Sequence, residues 1–189
     1  MILPVVKFGT PVLRERGAKI ESITPEIKKL ITDMFETMEE NHGVGLAAQQ
    51  VGVAKQLTVI DVREVKDRPS WVEIGGKPVD VAEIMPLVLI NPEVTPVGEA
   101  VKGSEGCLSF PEIYAEISRP ESVDVSALDA KGKPITFRCG GLLARAVQHE
   151  TDHLNGLLFI DRMEKKVKLE LQPELDALQA ETKAALKKK

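Results

Sequence analysis

Residues 142–156 have the sequence LLARAVQHETDHLNG, and the predicted fold is built outward from this segment. Its apolar residues recur at helical spacing, which predicts an amphipathic α-helix. Gly140-Gly141 breaks the chain before it, and Asn155-Gly156 favours the left-handed backbone that ends a helix. The segment is therefore predicted to form one helix from Leu142 to Leu154.

Two of the three histidines of the chain lie on this helix. At 100° per residue, His149 and His153 are about 40° apart on one face, and Glu150 lies beside them. Leu142 and Ala146 share that face, so the helix is predicted to direct two imidazoles and a carboxylate inward. Imidazoles one turn apart can bind one cation, and a neighbouring carboxylate can transfer the protons of a bound water. A pair of solvated or core histidines is the alternative, although a buried carboxylate without a partner is costly.

The elements before this helix include a first helix and two buried strands. Thr24 is a good N-cap followed by Pro25, and an apolar stripe then predicts a helix that ends near Asn41. Residues 57–62 and 87–91 are short apolar runs bounded by turn residues, which is typical of buried strands.

Other segments complete the predicted architecture. Residues 63–86 form an irregular excursion with a small hairpin, and residues 123–137 form a second hairpin. Pro173 is predicted to restart a terminal helix that runs to Lys189. The order predicts an α+β fold, in which a largely antiparallel sheet packs around a central metal-binding helix and a C-terminal helix follows.

Length and composition limit the classes of function. At 189 residues the chain is expected to form one domain, residues 1–162, with a helical extension at residues 163–189. The net charge of −4 argues against direct DNA binding over the whole surface. No signal peptide or membrane span is predicted, so the expected location is the cytoplasm. Because this compartment is reducing, the two cysteines, Cys107 and Cys139, are not expected to form a disulfide.

Two histidines do not complete a metal site, and several third ligands are open. A metzincin protease would have a histidine at position 159, where this chain has Phe159. A thermolysin-like site would use a downstream glutamate, and Glu164, Glu170 and Glu174 are available, although a solvated helix face is the favoured interpretation of these residues. Cys107, in Glu105-Gly-Cys-Leu-Ser109, is the better candidate because a thiolate binds divalent metals strongly. A small buried residue is the alternative for Cys107, and Cys139 is interpreted as structural.

The segment Gly43-Val-Gly-Leu-Ala-Ala-Gln-Gln50 combines glycines, small residues and an amide. Glycines let a ligand approach the backbone closely, and Gln50 offers an amide donor. A packed turn followed by a helix start explains the same residues. The Lys-Ser/Thr ending of a phosphate-binding loop is absent.

Together, three of these segments resemble the signatures of the peptide deformylase family, G-φ-G-φ-A-A-x-Q, E-G-C-L-S and H-E-x-D-H-L-x-G. They occur in the family's order at residues 43–50, 105–109 and 149–156. The opening FGTPVLR at residues 8–14 is similar to the family's N-terminal segment, and the resemblance covers residues 1–162. The excursion at 63–86 is longer than in the shortest bacterial members.

The resemblance implies a hydrolase that removes the formyl group from the N-terminal formylmethionine of newly synthesised proteins and releases formate. It implies that Cys107, His149 and His153 bind one metal ion per chain, with water in the fourth position. Fe(II) is the expected ion, and zinc, nickel or cobalt can occupy such a site. Glu150 is implied as the general base and then the acid.

The resemblance also implies how substrate is held. The side chain of Gln50 and the backbone N–H of Leu108 are expected to face the developing oxyanion. An apolar pocket for the methionine side chain is expected near the metal, with walls formed by Val44, Gly45, Leu142 and Ala146.

Partners and competing functions follow from the same residues. N-formylmethionyl peptides are the expected substrates, and the protein is expected to be a monomer. The terminal helix is a candidate ribosome contact because residues 161–189 carry a net charge of +2. A metallopeptidase that cuts internal peptide bonds is one alternative, and it leaves residues 105–109 unexplained. A non-catalytic metal-binding or ribosome-associated protein is another, against which the retained Gln50 and Glu150 argue.

Overall fold

Three α-helices and seven β-strands form the protein, in a computed structural model that describes residues 1–189. The helices are α1 (Pro25–Glu40), α2 (Leu142–Leu154) and α3 (Lys165–Leu186). The strands are β1 (Gly45–Ala47), β2 (Leu57–Ile60), β3 (Ser70–Ile74), β4 (Lys77–Val79), β5 (Leu87–Cys107), β6 (Phe110–Leu128) and β7 (Pro134–Gly141). The predicted α+β class is confirmed.

All seven strands belong to one antiparallel sheet in the order β1-β2-β5-β6-β7-β3-β4. The strand predicted at residues 87–91 is only the beginning of β5, which continues to Cys107. Prolines and glycines conceal this continuation in the sequence. The strand accommodates them through irregularities in its pairing with β6 near Pro92, Gly98 and Gly106.

Helix α1 begins where its cap predicts. The Thr24 hydroxyl accepts a hydrogen bond from the backbone N–H of Ile27 at 3.2 Å, and Pro25 occupies the first turn. The helix ends at Glu40 with Asn41 as its C-cap, as predicted. Its apolar stripe packs with β1 and β2 in one of three hydrophobic clusters.

Helix α2 has the predicted bounds and contacts β1, β2, β3, β5, β6 and β7. Leu143, Ala144 and Val147 pack with inward-facing residues of the sheet in the largest hydrophobic cluster. Gly156 follows the helix with φ of 75°, the left-handed conformation expected at its end. The sheet therefore surrounds α2 and fixes the direction in which its polar face points.

The excursion at residues 63–86 contains a hairpin, as predicted, formed by β3 and β4. Strand β3 pairs with β7, so the hairpin extends the sheet beside the beginning of α2. The Ser70 hydroxyl accepts a hydrogen bond from the N–H of Leu143 at 2.9 Å, and the Pro69 carbonyl accepts one from Leu142 at 3.1 Å. The excursion thus supplies the caps that Gly141 has no side chain to provide.

Helix α3 differs from its prediction, because it begins at Lys165 and contains Pro173 in its interior. A proline inside a helix removes one hydrogen bond, yet packing holds this helix together. Leu175 is 1% exposed in a cluster with Leu13 and Phe110, and Gly9 lies against the backbone of Gln179. The sequence rule for proline was wrong here because it weighs only local preference.

None of the helices combines the length and apolar character that crossing a membrane requires.

Candidate metal centre

Helix α2 places His149, Glu150 and His153 in the interior, where all three are buried. Their spacing puts the two imidazole rings 5.1 Å apart between centroids. Leu142 and Ala146 precede them on the same face of the helix. The predicted inward direction of this face is confirmed.

The third member of the cluster comes from a different element. Cys107 is the last residue of β5, and its Sγ lies 3.3 Å from Nε2 of His153. One ligand atom from each of Cys107, His149 and His153 lies within 4.8 Å of the others. A soft thiolate with two imidazoles is a donor set that binds first-row divalent metals.

The other third ligands considered from sequence do not reach this cluster. Phe159 is 1% exposed and packs in the core, with its ring centroid 5.9 Å from that of His149. Glu164 is exposed and pairs with Lys102 at 2.6 Å. The metzincin and thermolysin-like arrangements are therefore wrong for this chain.

Four buried charged residues surround the cluster. Glu105 accepts hydrogen bonds from Arg119 at 2.6 and 3.0 Å, from Arg145 at 2.9 Å and from Nδ1 of His149 at 2.9 Å. Arg119 also binds Asp152 of α2 at 2.9 Å. A carboxylate that receives the Nδ1–H of a histidine fixes the ring and leaves Nε2 free for a metal.

Burial and neighbouring charges shift the pKa values of three groups in this cluster, Glu105, His149 and His153. Burial opposes ionisation of Glu105, but His149 and Arg119 outweigh it and lower its pKa to about 2. Burial also opposes the charged form of His149, yet hydrogen bonds with Cys107 and Glu105 hold its pKa well above the usual value. Burial, together with the charge of His149, lowers the pKa of His153 well below its usual value, so this ring is neutral, as a ligand must be.

Two observations show that the residues fit a divalent cation. The ligand atoms of Cys107, His149 and His153 lie within 4.8 Å of one another, and a thiolate with two imidazoles suits such an ion. Glu150 Oε2 is buried without a hydrogen-bond partner, and burial raises the pKa of Glu150 to about 7. A nearby cation would favour its ionised form.

The segment predicted to face an oxyanion lies on the opposite wall. It forms β1 and a short 3-10 helix, Ala48–Val51, rather than a longer helix start. The Oε1 of Gln50 accepts a hydrogen bond from the N–H of Ala47 at 2.9 Å, which fixes the amide. Its Nε2 then points to Ser109 Oγ at 3.3 Å and to Cys107 Sγ at 3.5 Å. Gln50 thus presents a donor beside the candidate ligands.

Gln50, Cys107, His149 and Glu150 line one cavity of about 640 Å³. Leu108, in the turn between β5 and β6, contributes to its wall, and Lys7 donates a hydrogen bond to the Leu108 carbonyl at 3.0 Å. Burial lowers the pKa of Lys7. The residues predicted to contact the methionine side chain all line the same cavity: Val44, Gly45, Leu142 and Ala146.

Sequence reasoning missed Lys7, Arg119, Arg145 and Asp152. The strand pattern could have indicated the burial of one of them. Alternate residues of a strand face the same side, and Arg119 lies two residues after the fully buried Ile117 on β6. For Lys7 no signal was available, since its contact with Leu108 joins distant parts of the chain.

Comparison with known proteins places this geometry in one family. The profile of the family described as polypeptide deformylase matches residues 2–169. The peptide deformylase of Opitutus terrae is 45% identical over 189 residues, which cover 99% of this chain and 98% of that protein. The peptide deformylase of Methylacidiphilum infernorum is 46% identical over 178 residues, which cover 94% and 93%. The solved structure of a peptide deformylase from Synechococcus elongatus in complex with actinonin is 41% identical, covers 93% of this chain and 85% of that one, and has a TM-score of 0.77.

Proposed function

The chain belongs to the polypeptide deformylase family, and from that premise we propose which residues perform each part of the reaction. The protein is a metal-dependent hydrolase that removes the N-formyl group from nascent peptides. The observation that carries the proposal is the cluster of Cys107, His149 and His153, whose ligand atoms lie within 4.8 Å of one another. Two of these residues, Cys107 and His149, line one cavity together with Glu150 and Gln50.

We propose that Cys107, His149 and His153 hold one divalent ion per chain and that Fe(II) is the ion in the cell. A divalent ion in such a site polarises a carbonyl oxygen and lowers the pKa of a coordinated water. Zinc, nickel and cobalt are compatible with the same donors, so metal supply contributes to occupancy. Glu105 keeps the ring of His149 oriented through the Nδ1 hydrogen bond.

Glu150 is the proposed general base and then the general acid. It lines the cavity, it is adjacent in sequence to a ligand, and its Oε2 has no hydrogen-bond partner. It takes a proton from the attacking water and later delivers a proton to the departing amine. Formate and a peptide with a free amino terminus are the products.

Gln50 and Leu108 are the proposed donors to the oxygen that gains charge as the formyl carbon becomes tetrahedral. The Gln50 amide is held in place by its bond to Ala47, so little reorganisation is needed during the reaction. Removing one such donor typically costs about 2.7–4 kcal/mol of transition-state stabilisation.

The methionine side chain is proposed to occupy the apolar part of the cavity. Val44 and Gly45 come from the loop and β1, and Leu142 and Ala146 come from α2. An unbranched thioether fits such a wall through dispersion contacts.

The assignment is tested by anaerobic turnover of formyl-Met-Ala-Ser with metal analysis of the same sample. Glu150→Ala should abolish turnover and leave the metal content nearly intact, because Glu150 is a proton carrier and not a ligand. Glu150→Gln should behave in the same way. Loss of metal with normal activity per bound ion would contradict the assignment of Glu150. Cleavage of a longer N-acetylated peptide, with no deformylation, would indicate an internal peptidase instead.

The C-terminal segment is proposed to guide the enzyme, acting as a monomer in the cytoplasm, to ribosomes. Residues 163–189 are proposed as an extension of the catalytic unit at 1–162. Leu175 packs in the core, so truncation would expose apolar surface. Replacing Lys187, Lys188 and Lys189 by Glu is the sharper test, since these exposed residues carry positive charge without packing.

This charge reversal should weaken salt-sensitive co-sedimentation with ribosomes and spare turnover of formyl-Met-Ala-Ser. The matched control replaces the exposed Lys28, Lys77 and Lys131 by Glu, which changes the net charge equally at other places. Equal loss in both variants, or no loss in either, would contradict a ribosome contact through this helix.

A further inference from the structure

The N-terminal segment at residues 6–8 is hydrogen-bonded to both walls of the catalytic cavity that carry the proposed oxyanion donors. The backbone N–H of Val6 donates to the carbonyl of Gln50 at 2.8 Å. The backbone N–H of Phe8 donates to the carbonyl of Ser109 at 2.9 Å, in the turn between β5 and β6. One short segment therefore connects the two elements whose relative position determines where an oxyanion can be held.

The turn between β5 and β6 depends on this segment for its hydrogen bonds. Cys107 pairs with Phe110, so Leu108 and Ser109 form a two-residue turn at the end of the hairpin. The carbonyls of such turn residues take no part in the ladder of the hairpin, and they need donors from elsewhere when they are covered. The N-terminal segment supplies the donor for Ser109 through its backbone and the donor for Leu108 through the Nζ of Lys7, at 3.0 Å.

The ammonium of Lys7 has no acidic partner in the protein. Lys7 forms no ion pair, and the hydrogen bond of its Nζ is the one to the carbonyl of Leu108. Partial burial lowers the pKa of Lys7, and the charge of Cys107 opposes this shift. An apolar side chain would avoid the cost of covering a charge, so packing alone does not account for an ammonium on the wall of the catalytic cavity.

We propose that Lys7 is a positioning residue of the deformylation reaction, which holds the N–H of Leu108 at the place where the oxyanion forms. The direction of a backbone N–H is set by the peptide groups on either side of it, and a charge-assisted hydrogen bond to the adjoining carbonyl restrains them. Lys7 acts through Leu108 in this role, and not by contact with substrate. The proposal rests on the proposed function, because Leu108 is a donor to an oxyanion only in that reaction.

The position of Lys7 near Cys107 provides a competing explanation that can be tested separately. If the ammonium acted on the thiolate, its removal would change how strongly Cys107 donates to a metal, and metal affinity would change. If it acts on the carbonyl of Leu108, metal affinity stays the same and the amide of Leu108 is displaced.

The kinetic test replaces Lys7 by methionine, which removes the ammonium and keeps an unbranched side chain. Loss of a whole oxyanion donor costs about 10²–10³ in kcat, so a displaced donor should cost about 10-fold, with KM for formyl-Met-Ala-Ser within about twofold of wild type. Lys7→Arg keeps a cation and a donor and should recover most of the lost kcat. Lys19→Met is the matched control, because the exposed Lys19 lies outside the catalytic cavity.

Two further measurements use zinc-loaded protein and do not depend on turnover. In NMR spectra, the amide resonance of Leu108 should shift or broaden in Lys7→Met, return toward its wild-type position in Lys7→Arg and stay unchanged in Lys19→Met. Zinc affinity in chelator competition should be the same in all of these variants, because the proposed contact of Lys7 is with a carbonyl and not with a metal ligand.

Four results would overturn the proposal: a wild-type kcat in Lys7→Met, an effect confined to KM, a changed zinc affinity with an undisturbed Leu108 amide, or no recovery of either kcat or the Leu108 resonance in Lys7→Arg. The second result would make Lys7 a substrate-binding residue, and the third would assign its charge to Cys107. If wild-type enzyme hydrolyses no formylated peptide, the proposed function fails, and the Leu108 resonance still tests whether Lys7 holds this turn.

Discussion

Gly45 has no side chain at the point where β1 passes Glu150, and replacing it by alanine tests the position of that carboxylate. A Cβ on Gly45 would lie 2.7 Å from Oε1 and 2.9 Å from Cγ of Glu150. Ordinary contacts of this kind begin at 3.4 Å, so the methyl group is about 0.7 Å too close to Oε1. Neither side yields freely, because Gly45 pairs with Ile60 of β2 and Glu150 is buried on α2.

Gly45→Ala should therefore move the carboxylate by somewhat less than 1 Å and lower kcat by up to about 100-fold. The overpacking should cost about 1–3 kcal/mol in the free energy of unfolding. The assay measures kcat and KM on formyl-Met-Ala-Ser, metal content and urea unfolding on the same preparation. Metal content should stay near one ion per chain, since the three atoms nearest to the added Cβ all belong to Glu150, which is not a proposed ligand.

Gly43→Ala is the matched comparison, because it adds the same methyl group to the same loop. Its Cβ would lie 3.0 Å from Cδ1 of Leu108, the end of a side chain that can rotate away. We expect a loss in kcat below about fivefold for this variant, since rotating a side chain costs little. The reasoning would be refuted if Gly45→Ala kept wild-type kcat with full metal, or if both variants lost activity equally.

Three further predictions concern the metal centre itself. Glu105→Gln should lower metal affinity about 10–100-fold in chelator competition, because it weakens the hydrogen bond that orients the ring of His149. The control Glu116→Gln, at an exposed carboxylate of β6, should leave metal affinity unchanged. Gln50→Ala should lower kcat about 100-fold and change KM little, and an effect on KM alone would assign Gln50 to substrate positioning. Fe(II)-loaded enzyme should lose activity in air, with oxidation of Cys107 seen by mass spectrometry, while nickel-loaded enzyme keeps its activity. Cys139 is buried, and burial raises its pKa to about 12, so this thiol should stay unmodified. Full and lasting activity of air-purified zinc enzyme would contradict the Fe(II) assignment.

The parts of the fold that the sequence predicted are those whose boundaries are set by local chemistry. Thr24 and Pro25 fix the start of α1, and glycines fix both ends of α2. The parts that it did not predict depend on partners that are distant in sequence. Strand β5 persists beyond residue 91 because β6 pairs with it along its length, and α3 tolerates Pro173 because Leu175 is packed in the core.

The candidate site divides in the same way. Helical periodicity alone places His149, Glu150 and His153 on one face, since all three lie within two turns. Cys107 belongs to another element, and only the long β5–β6 hairpin brings its Sγ to 3.3 Å from His153. Spacing alone could not select it over Glu164. The strong binding of divalent metals by a thiolate favoured Cys107, and the family signature then assigned it as a ligand.

The burial of Arg119 could have been predicted from the alternation of side chains along β6, which rules based on composition alone ignore. On β6, Ile113, Ala115 and Ile117 alternate inward, and a strand that keeps this alternation must also bury Arg119. A buried guanidinium cannot lose its proton, so it requires carboxylates within the protein. Glu105 and Asp152 meet that requirement at 2.6 and 2.9 Å, and each adjoins the metal ligands along the chain or in space. The same ion pairs that satisfy Arg119 thus tie the β5–β6 hairpin to α2, which holds the thiol and the imidazoles of the centre at a fixed separation.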